Sequence, residues 1–156
     1  MALSAAAACG HLAVVAYLLD QGAPIDRTCD DGWTALFWAC HKGHAAVARL
    51  LLQRGADPAL RNTIFFTPLM VASFYGYVEI VACLLTHGRI PLDAVDSLGG
   101  ATALYWAADK GHAEVVRLLL QAGADPTIAH FNSLTPLTKA REGHHQDCIT
   151  LLEVRG

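Results

Sequence analysis

Apolar residues along this chain fall in short runs at helical spacing, and each run is closed by a glycine. Val47, Leu50 and Leu51, then Ile80, Val81 and Leu84, then Val115, Val116 and Leu119 form the stripe of an amphipathic helix. Gly22, Gly55, Gly88 and Gly123 follow these runs. Ahead of each lies a shorter segment opened by threonine, at 34, 67, 102 and 135. A threonine hydroxyl there is an N-cap, accepting a backbone N–H that has no partner inside the helix. Pro68 and Pro136 follow at the first helical position, where a missing N–H costs nothing. These first helices carry small residues on one side (Ala39 and Cys40, Ala72 and Ser73, Ala107 and Ala108), which lets a neighbouring helix come close. Gly43, Gly76 and Gly111 end them. Helices this short are unstable alone, so each pair must bury its apolar face on the next.

A self-comparison extends this to the whole chain. The threonines are spaced by 33, 35 and 33 residues, and a period in the low thirties means a stacked array. The first segment, LSAAAACGHLAVVAYLLDQGAPID, aligns without the turn that opens the others. We expect one domain over 1–156 with units at 1–28 (truncated), 29–61, 62–96, 97–129 and 130–156.

The repeated pattern T-P-L-x-x-A-x-x-x-G-H-x-x-V-V-x-L-L-L-x-x-G-A-D resembles the ankyrin repeat. It is carried here by Thr67-Pro68-Leu69, Gly111-His112 and Gly123-Ala124-Asp125-Pro126. The resemblance implies an all-α solenoid of helix-turn-helix units joined by β-hairpin-like turns. It also implies a concave groove lined by the turn tips and first helices, and a protein partner in that groove.

The departures from the pattern are informative. The position after T-P-L, usually His, holds Phe37, Met70, Tyr105 and Thr138, so the bonds that His would make are lost. The turn glycine, present as Gly32 and Gly100, is replaced by Phe65 and Ser133. A Phe forced to positive φ costs about 1–2 kcal/mol, which predicts a reshaped turn over Thr63–Phe66. RIPLDAVDSLGGA holds two extra residues between Gly88 and Thr102, predicting a local bulge. In the last unit Arg141 and Lys139 replace small or apolar residues, as a C-terminal cap would require. At the other end Ala13 and Ala16 stand where later units carry Glu79, Glu114, Arg49 and Arg117. An apolar first face is expected of a fragment of a longer array, or of a face covered by something else.

Composition narrows the function classes. The 156 residues are 54% hydrophobic and 16% charged, which excludes disorder. Eleven basic against 14 acidic residues, with no basic run, give no nucleic-acid footprint. No apolar stretch is long enough to span a membrane, and the start MALSAAAACG lacks the basic residues of a signal peptide. Five cysteines without a C-x-x-C pair suit a reducing compartment, so the expected location is intracellular, cytoplasmic or nuclear.

Chemistry is sparse. Cys40, His41 and His44, and again His144, His145 and Cys148, have the spacing of metal ligands on one helical face. Yet His44 recurs as His11, His112 and His145, and Cys148 falls on the Val47/Val115 core position, so both clusters read as scaffold. No metal, no cofactor and no enzyme is expected. The anomaly is aromatic: Trp33, Ile64, Phe65, Phe66, Leu98, Phe131 and Leu134 occupy turn tips, and Phe74-Tyr75 a helix end where other units have His41-Lys42 or Asp109-Lys110. Contiguous apolar surface of this kind marks partner sites. The expected contact set is Trp33, His41, Lys42, Ile64, Phe66, Phe74, Tyr75, Asp109, Lys110 and Phe131. The alternative is self-association, or packing on another domain of a longer protein through the N-terminal face.

Overall fold

The threonine caps form as the spacing predicts. In the computed structural model, which describes residues 2–88 and 90–154, the hydroxyls of Thr34, Thr67, Thr102 and Thr135 accept from the amides of Phe37, Met70, Tyr105 and Thr138 at 3.1–3.2 Å. They open α3 (Ala35–Lys42), α5 (Pro68–Tyr75), α7 (Ala103–Asp109) and α9 (Pro136–Glu142). The apolar runs form α4 (Ala45–Gln53), α6 (Val78–Leu85), α8 (Ala113–Ala122) and α10 (Gln146–Glu153), and the first segment forms α1 (Ala2–Ala8) and α2 (Leu12–Asp20). Each odd helix packs on the even one that follows it, and each layer stacks on its own kind. The result is an all-α solenoid.

The small residues explain how closely the inner layer packs. Ala39, Cys40, Ala72, Ser73, Ala107 and Ala108 are all fully buried. The outer layer closes the core with Val47, Leu51, Ile80, Leu84, Val115, Leu119, Cys148 and Leu152. Arg141, at the same inner-layer position as Cys40 and Ala108, lies exposed and pairs with Glu153 at 2.7 Å.

The recurrent histidine ties one pair to the one before it. Nε2–H of His44, His112 and His145 donates to the carbonyls of Ala8, Phe74 and Asp109 at 3.0–3.1 Å. Gly76 shows why the residue closing the inner helix of the earlier pair carries no side chain. Its φ is +73°, and a Cβ there would lie 2.5 Å from Nδ1 of His112. The lost His after T-P-L is partly replaced, since the Met70 thioether accepts from Thr67 N at 3.5 Å and the Thr138 hydroxyl bonds that of Thr135.

Before α3, α5, α7 and α9 the chain makes hairpin-like fingers. They close by amide-to-carbonyl bonds from Cys29 to Trp33, Asn62 to Phe66, Asp96 to Ala101 and His130 to Leu134. The turn over Thr63–Phe66 is not reshaped, contrary to the sequence expectation. Phe65 adopts φ +59° and Ser133 φ +60°, in the same conformation as Gly32 at +76°. The finger closure, and Thr63 N–H donating to Asp31 O on the preceding finger, hold Phe65 there despite its strain. His144 likewise takes φ +56° where the other units have glycine. The insertion is divided. Asp96 to Ala101 spans one residue more than Asn62 to Phe66, and the other extra residue precedes Asp96. Within it Arg89 lies outside the described residues, as do the expected end points Met1, Arg155 and Gly156.

Candidate protein-binding groove

The fingers and the C-terminal ends of the inner helices face one trough. Helix α3 brings His41 to it, α5 brings Phe74 and Tyr75, and the fingers bring Trp33, Ile64 and Phe66. Phe37, Asn62, Val71, Leu98 and Trp106 complete a cleft of about 290 Å3. Among the described residues that line it, none is Asp, Glu, Lys or Arg.

The rings are packed edge to face. The Trp33 centroid lies 5.2 Å from that of His41, His41 5.3 Å from Tyr75, and Phe74 5.3 Å from Trp106. Two finger residues fix this frame from beneath. Asn62 Oδ1 accepts from the amides of Ile64 and Phe66 at 3.2 and 2.9 Å. Asp96, in the corresponding place on the next finger, accepts from Leu98 and Gly99 through Oδ1 and from the Trp106 indole through Oδ2, each at 3.0 Å. Both are buried. The Trp106 ring plane is therefore set by a carboxylate ten residues earlier in the chain.

Burial holds the His41 imidazole below its ordinary pKa, and the neighbouring Lys42 adds to this. Its Nε2 lies 3.3 Å from the Tyr75 hydroxyl, while Nδ1 is buried without a partner among the described residues.

Of the ten residues expected at the site, Trp33, His41, Ile64, Phe66, Phe74 and Tyr75 line the trough. The other four do not. Lys42 lies outside, with its ammonium 5.9 Å from the Trp38 ring centroid. Lys110 sits at the edge, 4.9 Å from the Phe74 centroid and 3.0 Å from Asp109. Asp109 also binds Lys139 at 3.1 Å, and Lys139 reaches Glu142 at 3.0 Å. Burial alone would raise the Asp109 pKa, but the hydrogen bonds and charges of Lys110 and Lys139 hold it below the ordinary value. Phe131, 77% exposed, stands on the fourth finger away from the trough. Sequence reasoning left Phe37, Asn62, Val71, Leu98 and Trp106 out of the contact set. The signal for Asn62 was the amide/carboxylate pair Asn62 and Asp96 at matching finger positions, where the other fingers have Cys29 and His130.

The candidate metal clusters do not assemble. Among the described residues no three His, Cys, Asp or Glu side chains come together to hold an ion. The imidazoles of His44 and His145 are turned to backbone carbonyls. Burial raises the Cys40 thiol pKa far above its ordinary value and, with Asp147 nearby, pushes Cys148 up to about 11. Among the described residues no helix is long and apolar enough to cross a membrane.

The chain belongs to the ankyrin-repeat family: the family described as "Ankyrin repeats (3 copies)" matches residues 1–62 and 62–130. Repeats of this family are generally protein-interaction modules and typically not enzymes. The chain is 34% identical to "Ankyrin repeat protein nuc-2" of Neurospora crassa over 91% of its own length and 13% of that protein's. It is 42% identical to "Zinc finger CCCH domain-containing protein 56" of Arabidopsis thaliana over 42% of its length and 10% of that protein's. It is also 39% identical to "tRNA endonuclease ANKZF1" of Mus musculus over 47% of its length and 11% of that protein's. The chain thus spans a small part of these relatives.

Proposed function

We propose that this chain is a non-catalytic protein-binding module that holds a partner protein in the trough between the fingers and the ends of α3, α5 and α7. One observation carries the reading: a concave face of packed rings with no Asp, Glu, Lys or Arg among the described residues of its lining. Trp33, Ile64, Phe66, Phe74 and Tyr75 are its anchors, because burying aromatic surface at the centre of an interface supplies most of its affinity. His41, Lys42, Asp109 and Lys110 form the polar rim, with Phe131 as an outlying contact. The units run 1–28, 29–61, 62–96, 97–129 and 130–156, the last a cap with Arg141 outermost. No cofactor or metal takes part. The five free cysteines support an intracellular setting.

The test is affinity capture with wild type against Phe74→Ala plus Tyr75→Ala. Partner capture is lost in the double variant while the melting temperature changes little. Undiminished capture places the site elsewhere.

A second reading has its own support. Leu12, Val14 and Tyr17 of α2 are 43%, 47% and 63% exposed. This face mediates self-association, or packs on another domain of a longer protein of the kind the relatives represent. Light scattering of the 156 residues separates these: a monodisperse monomer at high concentration removes self-association.

A further inference from the structure

The backbone chemistry of the trough limits what shape of chain can occupy it. The finger tips use their amides on one another: Thr63 donates to Asp31 O at 3.1 Å, Ser97 to Ile64 O at 3.2 Å and Phe131 to Gly99 O at 2.7 Å. The Asn62 side-chain oxygen is taken by two amides, and the Tyr75 hydroxyl lies against His41. What faces the cleft is almost wholly apolar side chain. An extended segment laid along it would press its own N–H and C=O groups against a wall that, among the described residues, offers them few partners, and buried unpaired backbone groups are costly. A helix closes its backbone bonds within itself and presents only side chains.

We propose that the trough receives one face of an amphipathic helix from a partner protein. Bulky apolar residues at i, i+3 or i+4, and i+7 enter the cleft, and an acidic residue on the flank meets Lys42. A cleft of about 290 Å3 admits side chains and not a whole helix, so the helix lies across its mouth. Lys42 supplies the charge complementarity. It is exposed and, among the described residues, has no carboxylate within ion-pair distance, whereas Lys110 and Lys139 are both held by Asp109. This rests on the reading of the trough as the binding site.

A phage-displayed library of random peptides of about 16 residues, long enough for a marginal helix, tests both. The whole chain is the bait, and Phe74→Ala plus Tyr75→Ala is the counter-selection. Trough-dependent clones are expected to carry apolar residues three and four apart with an acidic flank. Synthesised, they gain helical circular dichroism on binding, and a central proline weakens them by about tenfold or more. Lys42→Glu is expected to weaken them by about fivefold or more. Trough-dependent clones that alternate with period two, or that tolerate the proline, overturn the helix while leaving the binding site standing. Indifference to Lys42→Glu overturns the charge contact. If no clone depends on the two rings, the helix proposal and the site reading fall together.

Discussion

The two ends of the concave face occupy equivalent positions in successive repeats and are built from opposite chemistry. At the end of α5 stand Phe74 and Tyr75, packed on Trp106 and His41. At the end of α7 the same two positions hold Asp109 and Lys110, joined to Lys139 and Glu142. Beneath both lies the same scaffold: a threonine cap, fully buried small residues, and a following histidine bonded to the helix-end carbonyl. The backbone contributes equally to each end, so the difference between an apolar trough and a salt-bridged wall lies in two side chains per unit. The wall satisfies its charges within itself. The trough leaves its ring surface facing solvent.

That contrast is open to test, starting where the effect is largest. Leu51→Ala removes a fully buried scaffold side chain and is expected to cost about 2–5 kcal/mol by cavity formation, read from urea unfolding. A smaller loss would mean that the stack relaxes around the hole. Asn62→Ala leaves the amides of Ile64 and Phe66 without their acceptor and is expected to cost about 1–3 kcal/mol. It should also disorder the trough, visible as a changed tryptophan emission. Thr102→Ala, the same kind of loss on the ionic side, should cost about 1 kcal/mol with the trough intact.

Exchanging the two chemistries is a sharper test. Phe74→Asp plus Tyr75→Lys gives α5 the end that α7 already has. We expect partner capture to vanish while the melting temperature moves by a few degrees at most, since about 1 kcal/mol shifts a domain of this size by roughly 2–4 °C. A large drop in melting temperature would make the rings structural and not a docking surface. Asp109→Asn, on the wall, should change stability by about 1 kcal/mol or less, and the difference should shrink in high salt.

The smallest expected effect is pH-dependent. His41 is held below its ordinary pKa, so its neutral form is favoured in the fold. As pH falls through the ordinary histidine value of about 6.5, the unfolded chain takes up a proton that the folded chain resists, and stability declines. His41→Gln should flatten the part of the stability profile between neutral pH and about pH 5. An unchanged profile would show that the ring is freely hydrated.

Much of this was legible because it depends on neighbours in sequence. A threonine three residues before the amide it caps, a glycine at a helix end and a run of leucines at helical spacing are local facts. The scaffold histidines were legible as a recurrence, though not where they point: His112 reaches a carbonyl 38 residues earlier. The lining of the candidate site was legible in part. Trp33, Phe66, Phe74 and Tyr75 stood out as aromatics in places that are polar elsewhere. Lys42, Asp109 and Lys110 occupy positions equivalent to Phe74 and Tyr75, yet they settle on nearby rings and charges, and Phe131 stands apart on the fourth finger.

The amino-acid sequence by itself determined the repeat, its caps and which residues are buried, because short helices with one apolar face have a single way to hide it, against a copy of themselves. The tertiary structure alone decided which surface residues share a cleft. It brought Trp33, Phe74 and Trp106 from three successive units onto one trough. It also held Phe65 in a conformation that its own residue type disfavours, since the bonds between stacked fingers outweigh the local preference of one side chain.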